Sequence, residues 1–322
     1  MSIGQTTVLI PSRLHPHAVK RIEAMFRVLK IERADAALLS PEERRQVKGV
    51  AAATRIDAAF IDAFPELEII ASFGVGYDAV DAAHAGRSGV MVTNTPDVLT
   101  EEVADTAVAL LLNTVRELPR AEAYLREGRW KSEGPYPLTR LTLRGRSIGI
   151  FGMGRIGQAI ARRLEAFGLP ISYHNRNPVA GVSYAYHGSL TELAENVDTL
   201  VSVAPGGAAT DKAIDAGVLA ALGPNGVFVN IGRGSTVDEE ALARALAGGT
   251  IAAAGLDVFA DEPHVPQALL DAANASLLPH VGSASVHTRE AMADLVVDNL
   301  AAWFAKGSAV TPVAETVHVK RR

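Results

Sequence analysis

The sequence predicts an α/β protein with two doubly wound parallel-sheet domains. Short apolar runs alternate with patterns of helical spacing along most of the chain, which is typical of parallel sheets covered by helices on both faces. A second series of such units begins at Ser147. At 322 residues the chain is long enough for two domains.

The composition is that of a globular protein and excludes several kinds of chemistry. Hydrophobic residues make up 48% and charged residues 21%, and a net charge of −5 disfavours a nucleic-acid partner. The absence of cysteine excludes disulfides, thiolate nucleophiles and cysteine-ligated zinc. The spacing of histidines and carboxylates indicates no metal site. We see neither a membrane span nor a signal peptide, and we expect a cytoplasmic protein.

Four apolar runs in the first hundred residues predict buried strands, because each ends in small or turn-forming residues. They are Thr6–Ser12, Lys48–Thr54, Leu67–Gly74 and Gly89–Thr95. Residues His17–Leu29 have helical spacing and predict a helix between the first two strands.

A long helix and an irregular segment follow. Thr100 is the predicted N-cap of the helix, and Glu101 and Glu102 lie in its first turn, where the helix dipole favours acids. The polar segment Glu127–Arg140 contains two prolines and two glycines. We interpret it either as an arm that packs on another subunit or as a surface excursion.

The second series contains six predicted strands and ends in an amphipathic helix, Thr288–Gly307. The strands are Ser147–Gly152, Pro170–Asn175, Thr199–Pro205, Gly226–Gly232, Ala252–Phe259 and Ser276–His280. In the simplest arrangement the last helix returns to the first domain. We therefore predict one domain from residues 1–100 plus 288–322, and a second domain from residues 101–287.

A glycine pattern joins the first strand of the second series to its helix. Gly152, Gly154 and Gly157 have G-x-G-x-x-G spacing directly after an apolar strand, which is the context that makes this pattern meaningful. The first glycine allows a tight turn, the second lets a pyrophosphate approach the backbone, and the third lets helix and strand pack closely. The pattern predicts a dinucleotide site at the helix N-terminus.

The next strand indicates which dinucleotide binds. An NAD site usually has an acid at this strand end to accept a hydrogen bond from the ribose 2′-hydroxyl. This strand ends instead in His174, Asn175, Arg176 and Asn177. A guanidinium suits a 2′-phosphate, so we interpret Arg176 as a preference for NADP; the alternative is a solvated charge at a strand end. We expect His174 to shape the turn.

Polar residues follow the last three strands, at the sheet edge where ligands bind in doubly wound folds. They are Arg233 after one strand, Asp257 and Glu262 after the next, and His280 after the last. This set suits hydride transfer between a nicotinamide and a 2-keto acid. Arg233 would bind and polarise the keto acid, His280 would donate a proton to the oxygen, and Glu262 would orient and stabilise the imidazolium.

Several motifs together resemble the D-isomer-specific 2-hydroxyacid dehydrogenases, and the resemblance covers nearly the whole chain. They are residues 152–157, Asn230–Leu242, Gly255–Pro263, Pro279–Ser285 and, at the domain crossover, Thr93–Leu112. Within the family the likeness is greatest to NADPH-dependent glyoxylate/hydroxypyruvate reductases and to hydroxyphenylpyruvate reductases.

The resemblance implies a Rossmann nucleotide-binding domain inserted into a flavodoxin-like substrate domain, and a homodimer formed through the nucleotide-binding domains. It favours the interpretation of the segment around Trp130 as an arm. The family's catalytic residues fall on Arg233, Glu262 and His280. The backbone N–H groups of Val75 and Gly76 would hold the substrate carboxylate. The implied cofactor-binding residues are Gly152, Met153, Gly154, Arg155, Ile156, Gly157, Asn175, Arg176, Asn177, Ala204, Pro205, Ile231, Gly232, Arg233, Asp257, His280 and Gly282.

The sequence therefore favours an NADPH-dependent reductase of glyoxylate and hydroxypyruvate. Three alternatives stay open at this point. They are an aryl-pyruvate reductase, an NAD-linked phosphoglycerate dehydrogenase, and a nucleotide-sensing protein that resembles the corepressors of this fold and has no catalytic role.

Overall fold

The computed structural model describes residues 3–321, which form two compact units. One unit runs up to Leu99 and resumes at Ala284, and the other is Thr100–Ser283. Each unit is a parallel sheet with helices on both faces, as the sequence predicts.

The first unit has a five-stranded sheet in the order β2-β1-β3-β4-β5. Its strands are β1 (Thr7–Ile10), β2 (Arg27–Lys30), β3 (Val47–Ala52), β4 (Ile69–Ser72) and β5 (Met91–Thr93), and its first helices are α1 (Pro16–Met25), α2 (Pro41–Gln46), α3 (Ala58–Asp62) and α4 (Ala82–Arg87). Alternate residues of each central strand enter two separate cores, so that Leu9 lies on one face and Val8 and Ile10 on the other. Strands buried on both faces read as continuous apolar runs, which is why the sequence reveals them.

The predicted helix His17–Leu29 was wrong at its C-terminal end, where the structure has the strand β2. The helix ends at Met25, and Phe26 is already extended. Residues Arg27–Lys30 then pair in parallel with β1 as an edge strand. Because an edge strand is half exposed, its mixture of polar and apolar residues resembles the continuation of an amphipathic helix.

The second unit begins with α5 (Thr100–Arg116), which starts at Thr100 itself rather than being capped by it. Two short helices follow, α6 (Leu118–Arg126) and α7 (Arg129–Glu133), so the segment predicted to be irregular is partly helical. Tyr124 of α6 packs edge to face on Tyr136 of this segment and donates a hydrogen bond to the Gly134 carbonyl at 2.9 Å.

The seven strands of the second unit are all parallel, in the order β12-β11-β10-β9-β6-β7-β8. They are β6 (Ile148–Phe151), β7 (Ile171–His174), β8 (Ala185–Tyr186), β9 (Thr199–Ser202), β10 (Val227–Asn230), β11 (Ala253–Leu256) and β12 (Ala275–Leu277). The helices between them are α8 (Arg155–Glu165), α9 (Leu190–Glu195), α10 (Ala216–Leu222), α11 (Glu239–Ala247) and α12 (Gln267–Leu270). The two-residue β8 is too short for its sequence pattern to predict it.

The last helix, α13 (Val286–Lys306), belongs to the first unit. Its Val296, Val297, Leu300 and Trp303 are buried in the core beneath β1 and β4. The two units have the strand orders of flavodoxin-like and Rossmann sheets, so the predicted fold class is confirmed. None of the helices described between residues 3 and 321 combines the length and apolar composition needed to cross a membrane.

Candidate active site

The glycine loop after β6 leaves no room for side chains at two of its three glycines. Gly152 has φ +104°, and a Cβ there would lie 2.8 Å from the Ala204 backbone nitrogen. A Cβ on Gly157 would overlap the Gly152 carbonyl oxygen. Gly154 differs, because no atom lies within 4 Å of its Cβ position. The open space beside Gly154 is what a pyrophosphate would need in order to approach this backbone.

The loop lies at a topological switch point of the sheet. Strand β6 pairs with β7 on one side and with β9 on the other, so the chain leaves it in opposite directions. Gly154 is the N-cap of α8, and no described side chain caps this helix. A crevice at a switch point with an uncapped helix N-terminus suits the phosphates of a dinucleotide. Ala204, which is buried, and Pro205 follow β9 on the far side of the loop.

Hydrogen bonds join the segment after β7 to the glycine loop and to β8. The Met153 N–H donates a hydrogen bond of 2.6 Å to the Asn175 side-chain oxygen. The Tyr186 hydroxyl donates to the Asn175 carbonyl at 3.2 Å. Arg176 and Asn177 are exposed, and no hydrogen bond or ion pair joins Arg176 to another residue of the described chain. The guanidinium next to this crevice is therefore available to a bound anion.

His174 has a structural position, as the sequence suggests. Its Nδ1 donates to the His187 carbonyl at 2.9 Å. Its ring stacks between Phe151 and Tyr186, with centroids 5.9 and 6.4 Å away.

Asn230, the last residue of β10, organises the loop that presents Arg233. Its side-chain oxygen accepts from the Gly232 N–H at 3.1 Å, and its amide nitrogen donates to the Arg233 carbonyl at 2.9 Å. Asn230 is fully buried. Sequence reasoning missed this residue; the signal is an amide placed where a buried strand turns into a polar loop. Ile231 is buried beside it, and a Cβ on Gly232 would lie 2.8 Å from the Ala204 carbonyl oxygen.

The loops after β10 and β11 are in backbone contact. A Cβ on Gly234 would overlap the Phe259 carbonyl, so only glycine fits after Arg233. Glu239 of α11 accepts a 2.9 Å hydrogen bond from the Ala260 N–H. The arginine loop and the loop that leads to Glu262 are thus held side by side.

His280 and Glu262 form a direct pair. The His280 Nδ1 lies 2.6 Å from the Glu262 Oε2, and the other carboxylate oxygen accepts from the Phe259 N–H at 3.0 Å. A carboxylate partner makes Nδ1 the donor, which leaves Nε2 as the second ring nitrogen. His280 is half exposed and has φ +54°, a left-handed conformation that is uncommon for a residue other than glycine.

Asp257 holds the turn that carries His280. Its carboxylate accepts from the Val281 and Gly282 N–H groups at 2.7 and 2.8 Å, and its carbonyl accepts from the His280 N–H at 2.8 Å. Burial raises the pKa of Asp257, and these two N–H groups oppose that rise. Gly282 is buried against this carboxylate, with its Cβ position 3.0 Å from Oδ2. Both residues were predicted to touch the cofactor, and the contacts present here give them a role in shaping the turn.

The C-terminal ends of β10, β11 and β12 are in register, with Asn230, Leu256 and Leu277 as successive partners. Arg233, Glu262 and His280 therefore follow neighbouring strands at one edge of one sheet. A cationic group and an imidazole with a carboxylate partner at this edge can bind an acid and transfer a proton.

Val75 and Gly76 lie in the first unit, directly after β4. The Asn94 amide donates a 2.7 Å hydrogen bond to the Val75 carbonyl. Neither the Val75 nor the Gly76 N–H donates to another residue of the described chain. Tyr77 follows and donates to Glu315 at 3.1 Å. Burial and this contact raise the pKa of Tyr77.

Comparison with known proteins extends this description. Residues 108–282 match the family model described as the NAD binding domain of D-isomer specific 2-hydroxyacid dehydrogenases. A glyoxylate/hydroxypyruvate reductase of Arabidopsis thaliana is 44% identical over 97% of this chain and 99% of its own length. A hydroxyphenylpyruvate reductase of Plectranthus scutellarioides is 50% identical over 80% of this chain and 82% of its own length.

A solved structure has nearly the same fold. An NADPH-dependent glyoxylate/hydroxypyruvate reductase of Sinorhizobium meliloti, solved in complex with NADP and malonate, matches with a TM-score of 0.96. It is 59% identical in sequence, and the match covers 99% of each chain.

Proposed function

Because the chain belongs to the D-isomer-specific 2-hydroxyacid dehydrogenases, we propose that it reduces small 2-keto acids to 2-hydroxy acids with NADPH. Glyoxylate and hydroxypyruvate are the proposed substrates, since relatives at 44% and 59% identity are reductases of these two acids. The observation that carries the proposal is the His280–Glu262 pair, 2.6 Å apart at the same sheet edge as Arg233.

The residues of the second unit fit a dinucleotide. The space beside Gly154 and the uncapped start of α8 suit the pyrophosphate, and Met153, Arg155, Ile156 and Gly157 complete that loop. Arg176 stands with Asn175 and Asn177 at the end of β7, where no acid opposes a 2′-phosphate. Residues Ala204, Pro205, Ile231, Gly232, Asp257 and Gly282 would line the remainder of the site. The bound cofactor would supply the hydride.

The chain's own residues supply the proton and the polarisation. Arg233 binds the keto acid and draws charge towards its carbonyl oxygen. His280 donates a proton from Nε2 to that oxygen as negative charge develops on it. Glu262 accepts from Nδ1, keeps the ring in this orientation and stabilises the imidazolium before the transfer.

We assign the substrate carboxylate to the Val75 and Gly76 N–H groups. Two adjacent N–H groups without a partner in the described chain suit an anion. The first unit would then be the substrate-binding domain and the second the NADP-binding domain.

We further propose that the protein is a homodimer formed through its second unit. In the segment predicted to be an arm, the Trp130 and Leu138 side chains are 63% and 99% exposed, and Leu125 of the preceding helix is 54% exposed. Large exposed apolar side chains are typical of protein interfaces when they form a patch.

A second substrate class has a specific observation in its favour. The hydroxyphenylpyruvate reductase is 50% identical to this chain, which keeps aryl-pyruvates as candidate substrates.

The experiment is a comparison of the wild-type protein with His280→Ala. NADPH oxidation is followed with glyoxylate, hydroxypyruvate and phenylpyruvate, and NADPH affinity is measured by fluorescence titration. We expect turnover by the wild type and its loss in His280→Ala while NADPH affinity persists. NADPH binding without turnover of any keto acid in the wild type would contradict the proposal and would favour a nucleotide sensor.

A further inference from the structure

We propose that Asn94 is a positioning residue that aims the Gly76 N–H group of the substrate-carboxylate loop. This inference rests on the proposed function, because it assumes that the Val75 and Gly76 N–H groups bind the carboxylate. The inference adds Asn94, which lies outside that loop, to the residues on which the affinity for the keto acid depends.

The argument begins with the geometry of the peptide bond. In a planar trans peptide the carbonyl and the N–H point in opposite directions, so a hydrogen bond that fixes the carbonyl also aims the N–H. The cis bond of the described chain precedes Pro263, and the peptides on either side of Val75 are trans. The Val75 N–H shares its peptide with the Gly74 carbonyl, and the Gly76 N–H shares its peptide with the Val75 carbonyl.

Both of these carbonyls are held by the segment that follows β5. The Thr95 N–H donates to the Gly74 carbonyl at 2.8 Å. The Asn94 side-chain amide donates to the Val75 carbonyl at 2.7 Å. The N–H groups of Val75 and Gly76 are therefore both aimed away from the 94–95 segment. A carbonyl that accepts a hydrogen bond also makes the N–H of its own peptide a stronger donor.

Asn94 is itself held in place by residues near the C-terminus of the chain. Its side chain is mostly buried, and its carbonyl accepts a 2.7 Å hydrogen bond from the Thr311 hydroxyl. Thr311 is held by Asn299 of α13, which is fully buried and accepts from the Thr311 N–H at 2.9 Å. Asn299 also donates to the Thr311 hydroxyl oxygen at 2.8 Å.

This chain of hydrogen bonds lies within the first unit and runs from α13 to the carboxylate loop. Its last link, from Asn94 to Val75, does not support a strand or a helix. Its effect falls on the orientation of one peptide, and thus on one N–H group that faces the substrate. The structure assigns Asn94 to substrate affinity and leaves the proton transfer to His280.

The test is Asn94→Leu, which removes the amide donor while keeping a side chain of similar size. We expect KM for glyoxylate and hydroxypyruvate, and the inhibition constant of oxalate, to rise by about 3- to 15-fold. NADPH affinity, measured by fluorescence titration, should stay at the wild-type value. The melting temperature and circular dichroism report whether the variant is folded.

The matched control is Thr316→Val. The Thr316 hydroxyl makes buried hydrogen bonds of 3.1 Å to the N–H and carbonyl of Val92, in the same unit, and does not contact the Val75 carbonyl that Asn94 holds. It should lower the melting temperature and leave KM unchanged. A purely structural role for Asn94 would give the same pattern as this control.

A folded Asn94→Leu protein with wild-type KM and wild-type oxalate affinity would overturn the inference, as would a fall in kcat alone. If Asn94→Leu does not fold, the inference is tested with Thr311→Val. This variant loses the hydroxyl that donates to the Asn94 carbonyl and keeps the Asn94 side chain. An increase of about twofold or more in KM for Thr311→Val supports the inference, and an unchanged KM overturns it. Failure of the proposed function is separate, since the wild type would then show no turnover at all.

Discussion

The Glu262 carboxylate accepts a hydrogen bond at each of its two oxygens. One oxygen contacts the His280 Nδ1 and the other accepts from the Phe259 N–H. Glutamine would remove the charge and keep one oxygen acceptor, and its NH2 group would face one of the two N–H donors.

We therefore expect Glu262→Gln to lower kcat/KM for keto-acid reduction by about 10- to 100-fold. Steady-state rates with glyoxylate and hydroxypyruvate measure the effect. Glu239→Gln is the control, because its oxygen can still accept from the Ala260 N–H. An equal loss in both variants would contradict a specific role for Glu262.

Residues that act through the backbone are the ones that sequence reasoning missed. Arg233, Glu262 and His280 could be chosen because their chemistry suits the reaction and they follow apolar strands. Asn230 and Asn94 carry no such chemistry, and each acts by holding a carbonyl or an N–H of a neighbouring loop. Only coordinates show which backbone group a side-chain amide reaches. The catalytic roles themselves stay predictions.

At the scale of the element, two glycines of the β6–α8 turn separate the two effects that a substitution can have: a loss of backbone packing and a loss of cofactor binding. Gly157→Ala would force a Cβ onto the Gly152 carbonyl oxygen, whereas Gly154→Ala meets no atom within 4 Å. We expect Gly157→Ala to lower both the melting temperature and NADPH affinity, with a stability loss of about 1–3 kcal/mol. Gly154→Ala should nearly keep the wild-type melting temperature and still weaken NADPH binding by about tenfold or more, because its Cβ occupies the space proposed for the pyrophosphate. Thermal melts and fluorescence titrations measure the pair, and NADPH affinity unchanged in Gly154→Ala would argue against that position of the cofactor.

Helices α1 and α13 are joined by an ion-pair cluster that depends on pH. The Asp294 Oδ1 lies 2.6 Å from the Arg21 Nη1 and 2.7 Å from the His17 Nε2. Burial alone would raise the pKa of Asp294, but the hydrogen bonds from His17 and Arg21 outweigh it and the pKa lies below its ordinary value. A carboxyl with a lowered pKa in the folded state stabilises the protein above the ordinary aspartate pKa of about 4, and this stabilisation is lost as the pH falls through the folded-state value.

Asp294→Asn should therefore cost about 0.2–1 kcal/mol at neutral pH, a small figure because the pair is half exposed. The difference from wild type should shrink as the pH falls below about 4. Denaturant unfolding at several pH values measures it. Glu32→Gln, which affects a more exposed pair with Arg33, is the control. A difference that stays constant with pH would show that charge is not its source.

Most of the strands that could be predicted from the sequence are buried, and the two that were missed are partly exposed. Strands covered on both faces gave continuous apolar runs, and the predicted runs from Thr6–Ser12 to Ser276–His280 each overlap a strand. The edge strands β2 and β8 were missed because their residues are partly exposed and form no continuous apolar run, whereas the edge strand β5 is buried and was predicted.

At the scale of the whole molecule, the exposed apolar side chains of the arm predict an interface. We expect the double variant Trp130→Ala, Leu138→Asp to shift the protein from dimer to monomer, because it removes apolar area and adds charge at 63% and 99% exposed positions. Light scattering coupled to gel filtration gives the mass. Phe167→Asp, a substitution at the 53% exposed residue after α8, should leave the mass unchanged. A monomeric wild type would contradict the proposed assembly.

The central claim is that the protein is an NADPH-dependent 2-keto acid reductase, and the ratio of kcat/KM for NADPH and NADH tests it most directly. A charge-assisted hydrogen bond from Arg176 to the 2′-phosphate should favour NADPH by about 10- to 150-fold with glyoxylate or hydroxypyruvate. Arg176→Ala should remove most of that preference. Equal use of the two cofactors, or a preference for NADH, would contradict the account of the segment after β7.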